Sequence, residues 1–196
     1  MRVRCPGRLA VRPRMRYGSR MTKLAVTIRL ARIEDAPLLA RAEREIARAP
    51  GFLASRPAEL VDERFAQKIA ALAGADHGRY VVAEVDGQVV GHALLDPLTL
   101  AATRHVTHLN LVVHPGWQRR GVGRQLLEHV IAWARSAPAV EKIELHVRSS
   151  NSVAQALYRK VGFTEVGRWR RRLKLGPGQY LDDVAMELWV GPDVSG

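Results

Sequence analysis

Leu109-Asn-Leu-Val-Val-His-Pro-Gly-Trp-Gln-Arg-Arg-Gly-Val-Gly-Arg-Gln-Leu-Leu127 is the stretch on which the reading of this chain turns. An apolar strand runs into a turn written Gln118-x-x-Gly121-x-Gly123, and an amphipathic helix follows without a break. Backbone N–H groups gathered at a helix start, at the positive end of its dipole, make a phosphate site. The glycines let backbone approach a ligand where a Cβ would collide, and Arg119, Arg120 and Arg124 add full positive charge. The order of residues excludes two better-known phosphate motifs. The dinucleotide fingerprint needs Gly-x-Gly-x-x-Gly and an acid about 20 residues on. The P-loop needs a closing Gly-Lys-Ser/Thr. Neither is present.

The spacing resembles the acetyl-CoA-binding turn of the GNAT superfamily of N-acetyltransferases, Gln/Arg-x-x-Gly-x-Gly/Ala, with Gln118, Gly121 and Gly123 in its slots. A second block carries the same resemblance. Residues 142–163 read Lys-Ile-Glu-Leu-His-Val-Arg-Ser-Ser-Asn-Ser-Val-Ala-Gln-Ala-Leu-Tyr-Arg-Lys-Val-Gly-Phe. The family's Asn-x-x-Ala-x-x-Leu-Tyr-x-Lys-x-Gly-Phe is matched by Asn151, Ala154, Leu157, Tyr158, Lys160, Gly162 and Phe163. The resemblance covers residues 27–190 in the order β-α-α-β-β-β-α-β-α-β-β.

It implies an α/β (α+β) fold with a mixed central sheet of about six to seven strands, about four flanking helices and splayed strands at the acetyl-CoA site. It also implies direct transfer of acetyl from acetyl-CoA to a primary amine, with no metal. The backbone of Leu111, Val112 and Val113 would then bind pantetheine. Gln118, Arg119, Arg120, Gly121, Val122, Gly123 and Arg124 would hold the pyrophosphate, and Asn151 and Lys160 would complete the cofactor set. Tyr158 would be the general acid toward the leaving sulfur.

The residues themselves suit these roles. Asn151 and Tyr158 are two helical turns apart, sharing one face at a separation of about 10 Å. Gly162 stands where a C′ glycine would end that helix, with Phe163 as its apolar partner. Taken alone, Tyr158 reads as an amphipathic tyrosine at a core edge. The general base departs from a common family pattern, because residues 105–114 contain no carboxylate. His105, His108, Asn110 and His114 are the polar residues there; His108 and Asn110 share a strand face with Val106 and Val112 and are candidates to order a water, against the bland reading of strand-edge or surface residues. The ending Gly178-Gln-Tyr-Leu-Asp-Asp-Val-Ala-Met looks like that of family branches acting on small amines and amino acids. It makes Tyr180 and Asp182 candidate acceptor contacts, against a bland reading of packing and turn residues.

The bulk numbers set bounds. At 196 residues the chain has the length of one domain with a sizeable core. Its 47% hydrophobic content is ordinary, and no stretch approaches a membrane span. Cys5 is the single cysteine, which excludes an intrachain disulfide and argues for a cytoplasmic protein that transfers the acyl group directly. Seven arginines and no acid in residues 1–20 supply most of the +12 formal charge, leaving +5 for residues 21–196. That remainder suits an anionic cofactor and gives little support to a nucleic-acid role. Residues 1–20 lack a secretory core and loosely resemble a transit peptide; the plainer reading is a mis-called or disordered extension before a start at Met21.

Period and punctuation predict a strand over 27–32 and a helix from an N-cap at Asp35 with Pro37 in its first turn. A second helix is expected over 59–72, a hairpin turning at Asp86-Gly87, and a strand over 105–113. A helix over 121–137 would bury Val122, Leu126, Leu127, Val130, Ile131 and Ala134. A strand over 142–148, a helix over 152–161 and a closing hairpin follow. Three function classes fit this layout. The first is an N-acetyltransferase for a small-molecule amine such as an amino acid, with a homodimer compatible. The second is a protein N-terminal, lysine or aminoacyl-tRNA acetyltransferase; the third is a silent acetyl-CoA-binding regulatory module.

Overall fold

The computed structural model describes residues 24–192, so the segment 1–20, Cys5 and the expected start at Met21 lie outside the described residues. Strand β1 (Thr27–Leu30) leads into helices α1 (Ala36–Ala47) and α2 (Asp62–Leu72). Strands β2 (Arg79–Val85) and β3 (Gln88–Pro97) form the expected hairpin. Asp86 and Gly87 have φ of 50° and 76°, the positive pair that a two-residue turn needs to match strand twist. Then come β4 (Val106–Val113), α3 (Val122–Ser136), β5 (Lys142–Arg148), α4 (Ser152–Lys160), β6 (Thr164–Gly176) and β7 (Gln179–Trp189).

The strands form one mixed seven-stranded sheet in the order β1-β2-β3-β4-β5-β7-β6. Every neighbouring pair is antiparallel except β4 and β5, and α3 is the crossover that their parallel pairing requires. The six apolar residues expected on α3 are its six buried residues, and they pack on Val81, Ala83 and Val85. The opposite face of β2, Tyr80 and Val82, meets Leu39 of α1 and Ile69 and Leu72 of α2. Burial on both faces explains why residues 80–85 and 89–95 read as apolar runs with little alternation. A Cβ on Gly91 would lie 3.0 Å from the Val112 carbonyl oxygen and 3.1 Å from Leu126, so glycine there lets α3 seat against the sheet.

Two local expectations change. The helix expected from residue 59 starts at Asp62, because Pro57–Glu59 forms a separate 3-10 turn. Asp35 occupies the N-cap position of α1 without capping it. Its carboxylate instead takes two bonds from Arg29, at 2.7 and 2.9 Å, and one from the Arg32 N–H, since a forked guanidinium outbids a single amide. No helix among the described residues is long and apolar enough to cross a membrane.

Candidate active site

The central feature is a split in the sheet. β4 and β5 pair only at Val106–Lys142, Thr107–Ile143 and His108–Glu144, and then separate. The His105 carbonyl accepts from the Glu141 and Lys142 N–H groups, whereas the His114 N–H donates to Val90 on β3. Strand alternation therefore turns the backbone of Leu109, Leu111 and Val113 toward the missing partner. Past the last pair, the Leu109 carbonyl, the Leu111 N–H and carbonyl and the Val113 N–H form an unpaired edge inside the molecule, which needs a ligand or water. Val112, expected to share this role, has its backbone on the β3 side and its side chain 7% exposed in the core.

That edge leads into the glycine turn. Gly121 has φ 85° and nothing within 4 Å of where its Cβ would stand, so the space beside it is open. Gly123 serves a different need: its Cβ would lie 3.2 Å from Val113, where the helix start leans on the edge strand. The first intrahelical bond runs from Gln125 N–H to Gly121 O, no side chain caps the helix, and its first turn has no acid. The N–H groups of Val122, Gly123 and Arg124 consequently point out unpaired, a fit for phosphate oxygens. Arg119 is exposed at φ 61°, and Arg120 stacks 5.0 Å from the Trp117 ring. Arg124 is engaged by Glu128 at 2.6 Å. Gln118 donates to the Val113 carbonyl at 3.2 Å and holds the turn to the strand.

α4 lies beside the cup. Asn151 is its N-cap, accepting the Ala154 N–H at 3.1 Å, so the residue expected to touch cofactor has a structural duty as well. The helix ends as its sequence predicts: Phe163 N–H bonds to Tyr158 O, Gly162 N–H to Arg159 O, and Gly162 has φ 107°. Phe163 tucks back with its ring 5.7 Å from that of Tyr158. The Tyr158 side chain is buried, which pushes its phenol up to about 12. Its hydroxyl makes no hydrogen bond among the described residues and is not among the fully solvent-excluded atoms, so it retains an opening. Lys160 is exposed in the last turn.

The acetyltransferase (GNAT) family model matches residues 41–163, nearly all of this apparatus and well over half of the chain. The chain belongs to that family. Among GNAT relatives it is 38% identical over 95 residues to N-alpha-acetyltransferase RimI of Mycobacterium tuberculosis, covering 48% of this chain and 58% of that protein. It is 33% identical over 104 residues to L-amino acid N-acetyltransferase AaaT of Escherichia coli, covering 53% and 64%. The chain thus spans about three fifths of the length of these two relatives. The structure of yncA from Salmonella typhimurium with its cofactor acetyl-CoA superposes with a TM-score of 0.77 at 22% identity, covering 87% of this chain and 97% of that one. This last likeness shows the GNAT fold.

On the face of the GNAT sheet opposite α3 and α4, the split opens at a pair of histidines. His108, the last paired residue of β4, has its Nε2 3.2 Å from Nδ1 of His146 on β5. Burial is the main cause holding both below the ordinary histidine value. For His108 the neighbouring His146 adds to it against Glu144 and Asp96; for His146, Arg148 and Arg172 oppose Asp183 and Glu144. Both rings are therefore neutral near pH 7. Two protons over four nitrogens, one of them shared in the pair, leave one outward nitrogen unprotonated in either tautomer. The pair thus keeps a free acceptor nitrogen at neutral pH. Trp169 lies 4.3 Å from His146, ring to ring. Asn110 is exposed one step along the His108 face.

Sequence reasoning missed His146, although its alternation with Glu144 and Arg148 was visible. The two neighbouring acids of β7 have different partners. Asp182 accepts the Arg171 N–H at 2.8 Å and so stabilises β6, whereas Asp183 is buried against Arg148. Tyr180 is exposed beside Lys174 near the hairpin tip, outside the histidine cluster. A cavity of about 420 Å³ lies between the loop after α1 and the start of α4, lined by Gly51, Phe52, Asn151, Val153, Leu175 and Leu181. His114 was expected only as one of several polar strand residues. It belongs to a buried chain in which its Nδ1 faces Val89 O at 3.2 Å, its Nε2 faces His92 at 3.1 Å, and His92 meets Glu43 at 2.9 Å. No group of three or more metal-ligating side chains occurs among the described residues.

Proposed function

We propose that this protein is an acetyl-CoA-dependent N-acetyltransferase that acts on the primary amine of a small molecule of the amino-acid type. The split between β4 and β5 carries the reading. One backbone edge runs from the glycine cup to a neutral histidine pair, and α4, which carries Tyr158, packs on the cup through Leu157. Bound acetyl-CoA supplies an activated acyl thioester. The free N–H groups of residues 122–124, with Arg119 and Arg120, hold its pyrophosphate, and the edge at Leu109, Leu111 and Val113 binds its amide-bearing arm and polarises the acyl carbonyl. The outward nitrogen of the His108–His146 pair takes a proton from the acceptor ammonium and releases the nucleophilic amine.

Tyr158 faces the leaving sulfur. A phenol near 12 keeps its proton throughout the neutral range and stands well above a thiol at about 8.5. It therefore steadies charge developing on sulfur by donating a hydrogen bond, worth about 1.5–3 kcal/mol, or roughly 10–10²-fold in rate. A peptide N-terminus is the second reading, supported by the M. tuberculosis relative's name and by an α-amine common to both acceptors.

A thiol-release assay with acetyl-CoA across amino acids, amines and peptide N-termini tests the reading. Turnover with amino acids is expected, and Tyr158→Phe should lower kcat by about 10–10²-fold while acetyl-CoA affinity holds within a few-fold. Turnover with peptides alone establishes the second reading. Acetyl-CoA binding without release for any acceptor leaves a regulatory module, and full activity in the phenylalanine variant removes Tyr158 from the chemistry.

A further inference from the structure

Strand β6 contains the run Arg168-Trp-Arg-Arg-Arg-Leu-Lys174, and its pairing with β7 is interrupted there. Trp169 pairs with Asp183 and Leu173 with Leu181, so residues 170–172 stand opposite Asp182 alone. A bulge of this size gives up ladder hydrogen bonds, and Arg171 at φ 53° sits in a left-handed conformation that long side chains disfavour. The Asp182 carboxylate holds it there through the Arg171 N–H. Such outlay of backbone strain is characteristic of functional sites. Its effect is to extrude three consecutive exposed arginines, none of whose guanidinium groups has a carboxylate partner among the described residues.

The bulge adjoins the histidine pair. The Arg172 guanidinium lies 4.8 Å from the Trp169 ring centre, Trp169 is the ring against His146, and His146 bonds to His108. Stacking orients the guanidinium in advance, which favours forked recognition of an anion. The acids around the split are already matched: Asp96 by Lys68, Glu144 and Glu187 by Lys142, and Asp183 by Arg148. Asp182, bonded to a backbone N–H, is outnumbered at this lip by the three arginines, so the balance there is positive.

We propose that the arginine bulge, led by Arg172, is an anion-binding lip of the acceptor site, so that the acceptor carries a carboxylate or phosphate group as well as its amine. This rests on the acetyltransferase reading above and narrows it. Polyamines and aminoglycosides, which bring further cations, are excluded as good acceptors. An acceptor anion seated on Arg172 sets its amine toward the outward nitrogen of the histidine pair. Arg170 and Arg171 add charge at the rim.

The test compares an amino acid, its carboxamide and the matching aminoalkyl phosphonate as acceptors for the wild-type protein, Arg172→Gln and Arg172→Lys. Wild type should favour the anionic acceptors over the amide by at least about 10-fold in kcat/KM. Arg172→Gln should erase most of that preference through KM, with kcat for the anionic acceptors held within about 3-fold, and Arg172→Lys should recover part of it. The carboxylate and phosphonate arms show which anion is preferred. Equal losses for amide and acid, or no preference in wild type, overturn the proposal. Calorimetric binding of the N-acetylated amino acid and of its amide gives a readout independent of turnover. A preference for the acid that Arg172→Gln abolishes sustains the lip even without catalysis, and equal binding of both refutes it. Salt-sensitive binding of single-stranded RNA with no discrimination among the small anions also refutes it and makes the bulge a nucleic-acid surface.

Discussion

Replacing His114 by Asn should flatten the acid limb of the protein's stability curve. The His114 ring is buried between Val89 O and His92, with Glu43 behind His92, and burial followed by the His92 charge lowers its pKa from 6.5 to about 4. A depressed folded value means that the unfolded chain takes up this proton first. No stability is lost above pH 6.5; it drains away as pH falls toward 4 and then levels off. Each pH unit in that window is worth up to about 1.4 kcal/mol, so this one ring accounts for about 3 kcal/mol across it. An asparagine amide takes the place of Nδ1–H toward Val89 O and cannot titrate. Urea midpoints measured at pH 7.5, 6.5, 5.5 and 4.5 should fall steeply in wild type and less steeply in the variant, whatever the variant's stability at pH 7.5. Their difference should approach about 2–3 kcal/mol over the series. Parallel curves would refute the argument and mean that His92 and Glu43 keep the His114 proton in the folded state.

Gly121→Ala meets no atom but must hold φ 85°, so it should cost about 1–2 kcal/mol and lower Tm by roughly 2–8 °C in a thermal scan. Gly123→Asp places bulk and negative charge against Val113 at the cup, and it should abolish the rise in Tm that acetyl-CoA produces in wild type. Asp183→Asn strands a mostly buried Arg148 guanidinium and should cost about 2–4 kcal/mol by chemical denaturation at pH 7. A loss below about 1 kcal/mol would mean that water reaches Arg148.

The cofactor half of the site is legible in the amino-acid sequence because its determinants are local. Gly121 at φ 85° and Gly162 at φ 107° answer conformational demands that a few neighbouring residues impose, and the spacing around them shows in the chain. The apolar stripe of α3 is equally plain, since one helix period decides which residues meet the core. The acceptor half is not legible in this way. His108 and His146 are 38 residues apart, Arg148 and Asp183 are 35 apart, and Glu43 and His92 are 49 apart. Alternation assigns each to a face without saying which strand lies alongside.

The different partners of Asp182 and Asp183 show the limit most sharply. Strand parity along β7 is readable, but the bulge in β6 gives Asp182 its backbone N–H, and the β5–β7 register sets Asp183 opposite Arg148. The sequence by itself determined the family, the element order, the glycine cup and the phenol on α4, because backbone conformation and periodicity act over a few residues. Only the tertiary structure decided where the expected split between strands begins, which histidines pair at its vertex and which arginines line its lip. Those depend on strand order and register, which the whole sheet settles at once.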